Sequence, residues 1–570
     1  MFRLLRFIKG YRKESILAPL FKLFEAILEL FVPLCVAALI DKGIGGGDKA
    51  YIIKMTLLMI ALGTVGLLFS FTAQWFSAST AIGFTKKMKS ALFAHIQSLS
   101  AIDKDKLGDS TLLTRLTSDS NQVQSGINMF LRLFLRSPFV VIGAAIMAFV
   151  VDSTLAVIFA IVIPILGLIV YLIMRHTVPM YKTVQSKLDA LTKKSRENLS
   201  GVRVLRAYCK EEDEKEEFRE KTEDLKAAQL GAGTYSSLLH PLTSVLINLA
   251  VIVLIYFGSL RYEMNLIALG SIIALVNYMN QILVELVKFA NLIITLTRAI
   301  ASGNRIQSIF DIQPSISRAE RVENGSFDAE YAVEFDNASL TYREGGKPAL
   351  SSVSLKVKNG EKIGVIGATG SGKTTLINLI PRLYDTTEGS VSVFGSNVKS
   401  WDLHDLRDAI ALVPQKPRLF KGTIRENLQW GNENASDEDL MDALEKAQAL
   451  DFVMKKDGGL DSPVAQNGRN LSGGQRQRLT IARALVKKPH ILILDDSAAS
   501  LDYATESRLR AMIKDLDMTI FVVSQRTSSL VNMDRIVVLS DGCVDAVASH
   551  EELLESNELY QEIYNSQYGE

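Results

Sequence analysis

Through the first half of the chain the apolar positions fall in long unbroken blocks, at about 16–40, 53–79, 129–150, 154–175, 238–260 and 264–296. Each supplies the roughly 20 mostly apolar residues that a helix needs to cross a bilayer. The pattern therefore predicts a helical membrane domain of six spans. The connections near 41–52, 151–153 and 261–263 are short, whereas those near 80–128 and 176–237 are long and charged. The long ones carry few Gly or Pro and many helix formers, as in Gln185–Leu199 and Glu211–Gln229. They are expected to continue the membrane helices outward, about 17 residues on each side reaching roughly 25 Å beyond the bilayer. Their tips should turn near Ala101–Ser110 and Tyr208–Glu214. Basic residues, among them Lys86, Lys87, Lys89, Arg175, Lys182 and Lys187, sit beside the long connections, and Arg3, Arg6, Lys9, Arg12 and Lys13 sit at the N-terminus. The excess of positive charge on the cytosolic side places the N-terminus and both long connections there. The first ten residues alternate bulky apolar and basic side chains, as an interfacial helix does.

After Phe310 the pattern changes. A polar stretch, 313–328, reads as a linker. Strand patterns follow at Ala332–Phe335, Ser351–Val357, Glu361–Ile366 and Ser390–Val393, then a helical region over Ser436–Phe452. His490–Asp495 is a continuous apolar run ending in acid, the mark of a parallel strand buried on both faces. The division expected is a membrane domain over 1–312, the linker, and an α/β domain over 329–570. A chain of 570 residues is too long for one ordinary core. Its net charge of +1 argues against a nucleic-acid binder. Cys35, Cys209 and Cys543 match no metal or redox spacing.

The chemistry concentrates at Gly367-Ala368-Thr369-Gly370-Ser371-Gly372-Lys373-Thr374-Thr375. It sits between an apolar strand pattern and a helix pattern, the setting of a phosphate-binding loop. Gly367, Gly370 and Gly372 let the backbone curl so that N–H groups, with Ser371 and Thr375 beside them, face phosphate oxygens. Lys373 would reach the β- and γ-phosphates, and Thr374 would ligate Mg²⁺ together with Asp495. The substrate expected is ATP. In the membrane half, Glu25 and Glu29 lie one turn apart, and Asn277, Gln281, Glu285 and Lys288 recur at helical spacing. A charge at the bilayer centre costs on the order of 2.5–3.5 kcal/mol, so these groups need a cavity or a partner. Glu25, Glu29, Asn277 and Gln281 could line a substrate path. The other reading is a local Lys22–Glu25 pair, with Glu285 and Lys288 snorkelling to the interface.

Leu471-Ser472-Gly473-Gly474-Gln475, followed by Arg476-Gln477-Arg478, is the most specific element. With the phosphate loop it resembles the ATP-binding cassette (ABC) family, and with the six spans and long cytosolic connections it resembles that family's exporter branch. The resemblance implies a type IV exporter-like membrane domain fused to a cassette, in a multi-pass plasma-membrane protein with its cassette in the cytosol. It implies that Tyr342 stacks on adenine, that Gln415 senses Mg²⁺, and that Asp502 lies in a loop crossing between two cassettes. It also implies that Gln466–Arg469 touches the cytosolic tips. Two positions depart from the family. Asp496 stands where the family's active form has glutamate, and Gln525 where it has histidine. These departures, beside an intact 471–475 signature, imply an ATPase subunit whose own site binds ATP but hydrolyses it slowly. Its signature would complete the active site of a second, different half-transporter. The expected cargo is a small amphiphile, drug-, lipid- or peptide-like. The alternatives are an ATP-gated regulatory or channel-like protein and a homodimeric exporter.

Overall fold

The computed structural model describes residues 2–316, 322–343, 345–498 and 501–568. Residues 317–321 of the expected linker lie outside this set. The chain divides into two compact units, one of 1–97 and 109–312, the other of 98–108 and 313–570.

The first unit is helical. Among the described residues, five stretches are long and apolar enough to cross a membrane: Arg12–Ile44, Lys49–Ser98, Asp109–Val151, Ser153–Ser200 and Glu211–Glu263. The sixth predicted span falls on the helix Leu269–Phe310, which is not among those five and carries Asn277, Asn280, Gln281, Glu285 and Lys288. Its packing face is apolar: Ala274, Leu275, Met279 and Ile282 are buried with Ala144, Phe159 and Leu254 from three other helices. Close approach is enforced further along. A Cβ added at Gly126 would lie 2.2 Å from the Ala299 Cβ, so the helices Ser120–Leu133 and Leu269–Phe310 meet where only glycine fits. The helix Lys49–Ser98 presents Leu67, Leu68, Phe71 and Trp75 outward, each more than half exposed. Such a face is stable only against lipid or another chain.

The long connections are helical, as their composition predicts. Ser153–Ser200 and Glu211–Ser237 run far past the apolar blocks, tied by Lys194 to Glu214 at 2.7 Å and to Glu217. The turn expected at 208–214 is shorter and earlier. A short helix, Val202–Ala207, intervenes, Cys209 takes a positive φ of 52°, and the next helix already starts at Glu211. The other expected turn is itself a short helix, Ala101–Leu107, with a Ser100–Asp103 capping box and a stop at Gly108. It belongs with the second unit, where Asp103 accepts a hydrogen bond from the Ser315 N–H at 2.9 Å and Asp105 one from the Tyr384 hydroxyl at 3.2 Å.

The second unit holds two main sheets. An antiparallel sheet runs in the order Leu350–Lys358, Tyr331–Leu340, Glu388–Val393, Ser396–Asn397. A six-stranded sheet runs Cys543–Ala548, Arg535–Ser540, Lys362–Gly367, Thr519–Val523, Ile491–Asp495, Ile410–Val413, parallel except at its first strand. Ile491–Asp495 and Thr519–Val523 are buried at every position, as their unbroken apolar runs demand. One core lies between the sheets, around Ile363, Val365, Leu376, Trp401 and Phe521. The other lies on the opposite face, around Leu479, Ile481, Leu494, Val522 and Ile536. Register then sets the chemistry. Val523 pairs with both Asp495 and Val365, so three strands end side by side where ligands bind open α/β sheets.

Candidate nucleotide site and membrane cavity

At those strand ends lies a cavity of about 330 Å³. It is lined by Tyr342, Gly370, Gly372, Lys373, Thr374, Thr375, Gln415, Asp495, Asp496 and Gln525, all expected from the sequence, by Thr369 of the same loop, and by Ala349, Val523 and Ser524, which were not expected. Gly372 begins the helix Lys373–Leu379 with φ of 98°, and a Cβ there would come within 2.6 Å of the Ala349 carbonyl oxygen. A side chain would therefore be both strained and blocked. Gly370, at φ of 88°, has open space on its outer side.

Lys373 folds over the loop, donating to the carbonyls of Gly367 and Ala368 at 2.8 Å each. Burial lowers its pKa, and Asp496 and Asp495 oppose that shift. Ser371 Oγ is buried with no hydrogen-bond partner among the described residues. A ligand rich in acceptors would satisfy it and would compete for the lysine. Thr374 Oγ1 is 3.2 and 3.3 Å from the two Asp495 carboxylate oxygens. Burial pushes the Asp495 carboxyl above its ordinary range, against the Thr374 hydrogen bond. A hydroxyl and a carboxylate converging in this way form a hard-oxygen donor pair that suits Mg²⁺, which takes its remaining ligands from phosphate and water. Among the described residues no cluster of three His, Cys, Asp or Glu offers a competing metal site.

Asp496 has the left-handed φ of 45°, and its N–H is bound to the Val523 carbonyl at 2.9 Å. Its carboxylate accepts from Gln415 Nε2 at 3.1 Å, so the residue following Asp495 turns toward Gln415. Gln525 lines the cavity and is held from behind, its carbonyl accepting from Gln567 Nε2 at 2.7 Å. Gln567 Oε1 also accepts from the Thr527 N–H at 2.9 Å. No local motif marks Gln567, because the C-terminal helix Glu558–Tyr568 packs onto this loop only in the fold. Tyr342 bonds Thr375 at 3.0 Å and meets the Tyr384 ring edge-on at 5.2 Å. His404, His490 and His550 do not line the cavity. His490 stacks on Phe327, and His550 bonds Tyr560.

Leu471–Gln475 is not part of this cavity. Ser472 caps the helix Gly473–Val486, accepting from the Gln475 N–H at 3.2 Å, and Gln475 Oε1 accepts from the Ser472 N–H at 3.0 Å. Leu471 is buried beneath that cap, whereas Ser472 is exposed. Gln466–Gly468 forms a tight turn just before it, with Asn467 at a positive φ of 57°. Asp502 caps the helix Tyr503–Lys514 through the Thr505 N–H and hydroxyl, at 2.9 and 2.8 Å. Ser500, beside it in the expected crossing loop, lies outside the described residues.

In the membrane unit a second cavity, of about 470 Å³, is lined by Glu29, Asn277, Gln281, Glu285 and Lys288 with apolar neighbours. Glu25 is not on it. It pairs with Lys22 at 2.5 Å, and Lys22 also bonds Ser70 at 3.0 Å. Sequence reading missed Arg136, which lies behind the cavity and pairs with two acids that line it. It reaches Glu285 at 2.5 Å and Glu29 at 2.6 Å, while Ser137 and Lys288 also bond Glu285, at 2.9 and 2.8 Å. Glu285 is therefore a buried, fully partnered acid rather than a snorkelling one. The available signal was an arginine seven residues into an apolar block that starts at 129, deeper than Arg132 near the block's edge.

A helical unit with lipid-matched surfaces, joined to an α/β unit with a phosphate loop and a hydroxyl–carboxylate pair, defines a nucleotide-driven membrane protein. Residues 15–286 match the ABC transporter transmembrane region, and residues 350–499 match the ABC transporter family. The chain is 34% identical over 571 residues to an uncharacterized ABC transporter ATP-binding protein of Bacillus subtilis, covering 100% of this chain and 99% of that one. It is 33% identical over 565 residues to another of Mycobacterium bovis (98% and 97%), and 29% identical over 571 to the ATP-dependent lipid A-core flippase of Escherichia coli (99% and 97%). A bacterial Atm1-family ABC exporter with ATP bound shares the fold at a TM-score of 0.82 and 20% identity, covering 98% of this chain and 99% of that one. The chain belongs to the ABC transporters: it is an exporter-type half-transporter, a multi-pass membrane ATPase with a cytosolic cassette, whose ATP hydrolysis is coupled to transport.

Proposed function

We propose that this chain is the slow-site subunit of a heterodimeric exporter in the plasma membrane. The observation that carries the reading is the pair Asp496 and Gln525 on one cavity wall. The carboxylate is one methylene shorter than glutamate and engaged by Gln415, and the Gln525 amide cannot act as acid or cation. Lys373, Ser371 and the loop N–H groups bind the phosphates of ATP, with Tyr342 against the base. Thr374 and Asp495 hold Mg²⁺, with Gln415 adjoining, and the ion supplies charge neutralisation at the phosphates. Water at the γ-phosphate is poorly oriented, so ATP stays bound and turns over slowly. The exposed Ser472 and Gly473–Gly474 complete the site of a different half-transporter, which supplies the glutamate and histidine. Asp502 lies at the seam between cassettes.

Six crossings, the last on Leu269–Phe310, return the chain to the cytosol. The working division is 1–312, a linker over 313–328, and 329–570. The cargo is a small amphiphile entering at Glu29, Asn277 and Gln281, in keeping with the lipid named for the flippase relatives. The test is ATPase activity of this chain alone and with its partner. Robust transport-coupled hydrolysis by the chain alone would establish a homodimeric exporter instead. Flux that persists with a non-hydrolysable analogue would establish an ATP-gated pore. In the heterodimer, Ser472→Ala should remove most activity and Lys373→Ala only part of it.

A further inference from the structure

The wall of the membrane cavity carries open acceptors. Arg136 does not line it; it is buried, with one nitrogen on Glu285, another on Glu29 and its Nε without a partner among the described residues. Lys288, half-exposed, bonds Glu285 at 2.8 Å. Each cation of the network thus has an acid partner. Two acceptors on the wall have room for a donor. Glu29 is 44% exposed and binds Arg136 through one carboxylate oxygen, and Gln281 Oε1 is buried with no donor among the described residues. Asn277 adds an amide to the same wall. Around these polar groups, Val32, Val36 and Val284 give apolar surface. A buried acceptor without a donor costs on the order of 1–3 kcal/mol, so a ligand is favoured if it brings donors rather than further acceptors.

We infer that this cavity binds amphiphiles bearing a hydrogen-bond-donating ammonium group, with Glu29 as the carboxylate that receives it and the Gln281 carbonyl as a second acceptor. The inference rests on the exporter reading of the cavity and adds the charge class of the cargo. Entry of the ammonium partly draws Glu29 from Arg136. Arg136 remains compensated by Glu285, so the exchange leaves no buried charge alone. A ligand anion would find Arg136 off the cavity wall and already shared between Glu285 and Glu29, which leaves Lys288, itself held by Glu285, as the cation among the described lining residues.

The test uses the full chain in lipid nanodiscs, with empty nanodiscs as the baseline, and a dansyl-tagged dodecyl amine as the probe. Its acetylated analogue is neutral and its succinylated analogue anionic, on the same alkyl chain. The ammonium probe should bind about tenfold more tightly than the acetylated one, the difference made by a charge-assisted hydrogen bond. Glu29→Gln should erase that difference, and Glu29→Asp should restore part of it. Equal binding of the ammonium and acetylated probes overturns the inference, as does preference for the succinylated probe, and neither comparison needs a variant. A preference that survives Glu29→Gln overturns the role of Glu29. A cysteine replacing Asn277, in a chain lacking Cys35, Cys209 and Cys543, separates the two claims. If an impermeant thiol reagent labels it from the cytosolic side and all three probes protect it alike, the cavity is a cargo path and the charge class is wrong. If it is unreactive and no probe binds, both are wrong.

Discussion

Converting Asp496 to glutamate tests the slow-site assignment at its root. The Asp496 N–H is fixed to Val523 at 2.9 Å, so the backbone is anchored and a longer side chain must extend into the cavity. The added methylene advances the carboxylate by about 1 Å, a displacement that can change a positioned reaction by roughly 10²-fold. Glutamate sits less easily than aspartate at the φ of 45°, which lowers stability by up to about 1 kcal/mol without setting the turnover rate. Gln525→His adds a donor able to carry charge at the γ-phosphate, where a charged hydrogen bond is worth about 1.5–3 kcal/mol, or at least tenfold. The assay pairs the chain with its partner and silences the partner's site through Ser472→Ala, so that the remaining hydrolysis belongs to the site on Lys373. Asp496→Glu should raise that residual rate by about two orders of magnitude, and adding Gln525→His should raise it further. The reasoning is refuted if the unmodified site already turns over as fast as the partner's. It is refuted equally if the double variant binds ATP normally and gains nothing.

Three further outcomes are expected. Burial raises the Asp495 pKa, so the folded chain holds this proton more tightly than the unfolded chain, and stability falls as pH rises through the window above the ordinary carboxylate value. Asp495→Asn should therefore raise the melting temperature of the nucleotide-free chain near neutral pH and remove the extra stabilisation that Mg²⁺ adds to ATP; an unchanged Mg²⁺ effect would exclude Asp495 from the metal site. Gln567→Ala frees the Gln525 carbonyl. It should therefore reduce the rate gained from Gln525→His while leaving ATP affinity intact, and an undiminished gain would make Gln567 irrelevant to positioning. Arg136→Met removes the partner of Glu29 and one of the two cations on Glu285, and should cost up to about 3–5 kcal/mol in thermal unfolding, part of it recovered by adding Glu285→Met; equal stability of single and double variants would rule out a coupled buried pair.

The nucleotide site was legible in the sequence because its geometry is mostly local. The loop from Gly367 to Thr374 is one covalent segment, and its curl depends on glycines whose spacing can be read directly. Asp495 and Gln525 follow strands whose apolar runs allow only a buried parallel sheet, and pairing of Val523 with Asp495 and Val365 then brings the strand ends together. Ser436 was readable as a cap for the same local reason, and it caps the helix Asp437–Lys446. Gln567 was not readable. It lies 42 residues beyond Gln525 on an unremarkable polar helix, and only the docking of that helix gives it a role.

Arg136 shows where such reading could have gone further. It meets Glu29 and Glu285 across 107 and 149 residues of sequence, so no motif joins them. Depth does. Counted from the cytosolic ends of the predicted blocks at 1.5 Å per residue, Glu29, Arg136 and Glu285 all lie roughly 10–20 Å inside the apolar layer. An arginine in that layer must find an acid at its own level, because the charge cannot be left uncompensated. Two acids at that level, on two different blocks, constrain the packing to bring the blocks 16–40, 129–150 and 264–296 side by side. The ion pairs are thus the condition under which those three helices can share an interior. The exposed oxygen of Glu29 is what the pairing leaves over, and that remainder gives the cavity its preference for a donor.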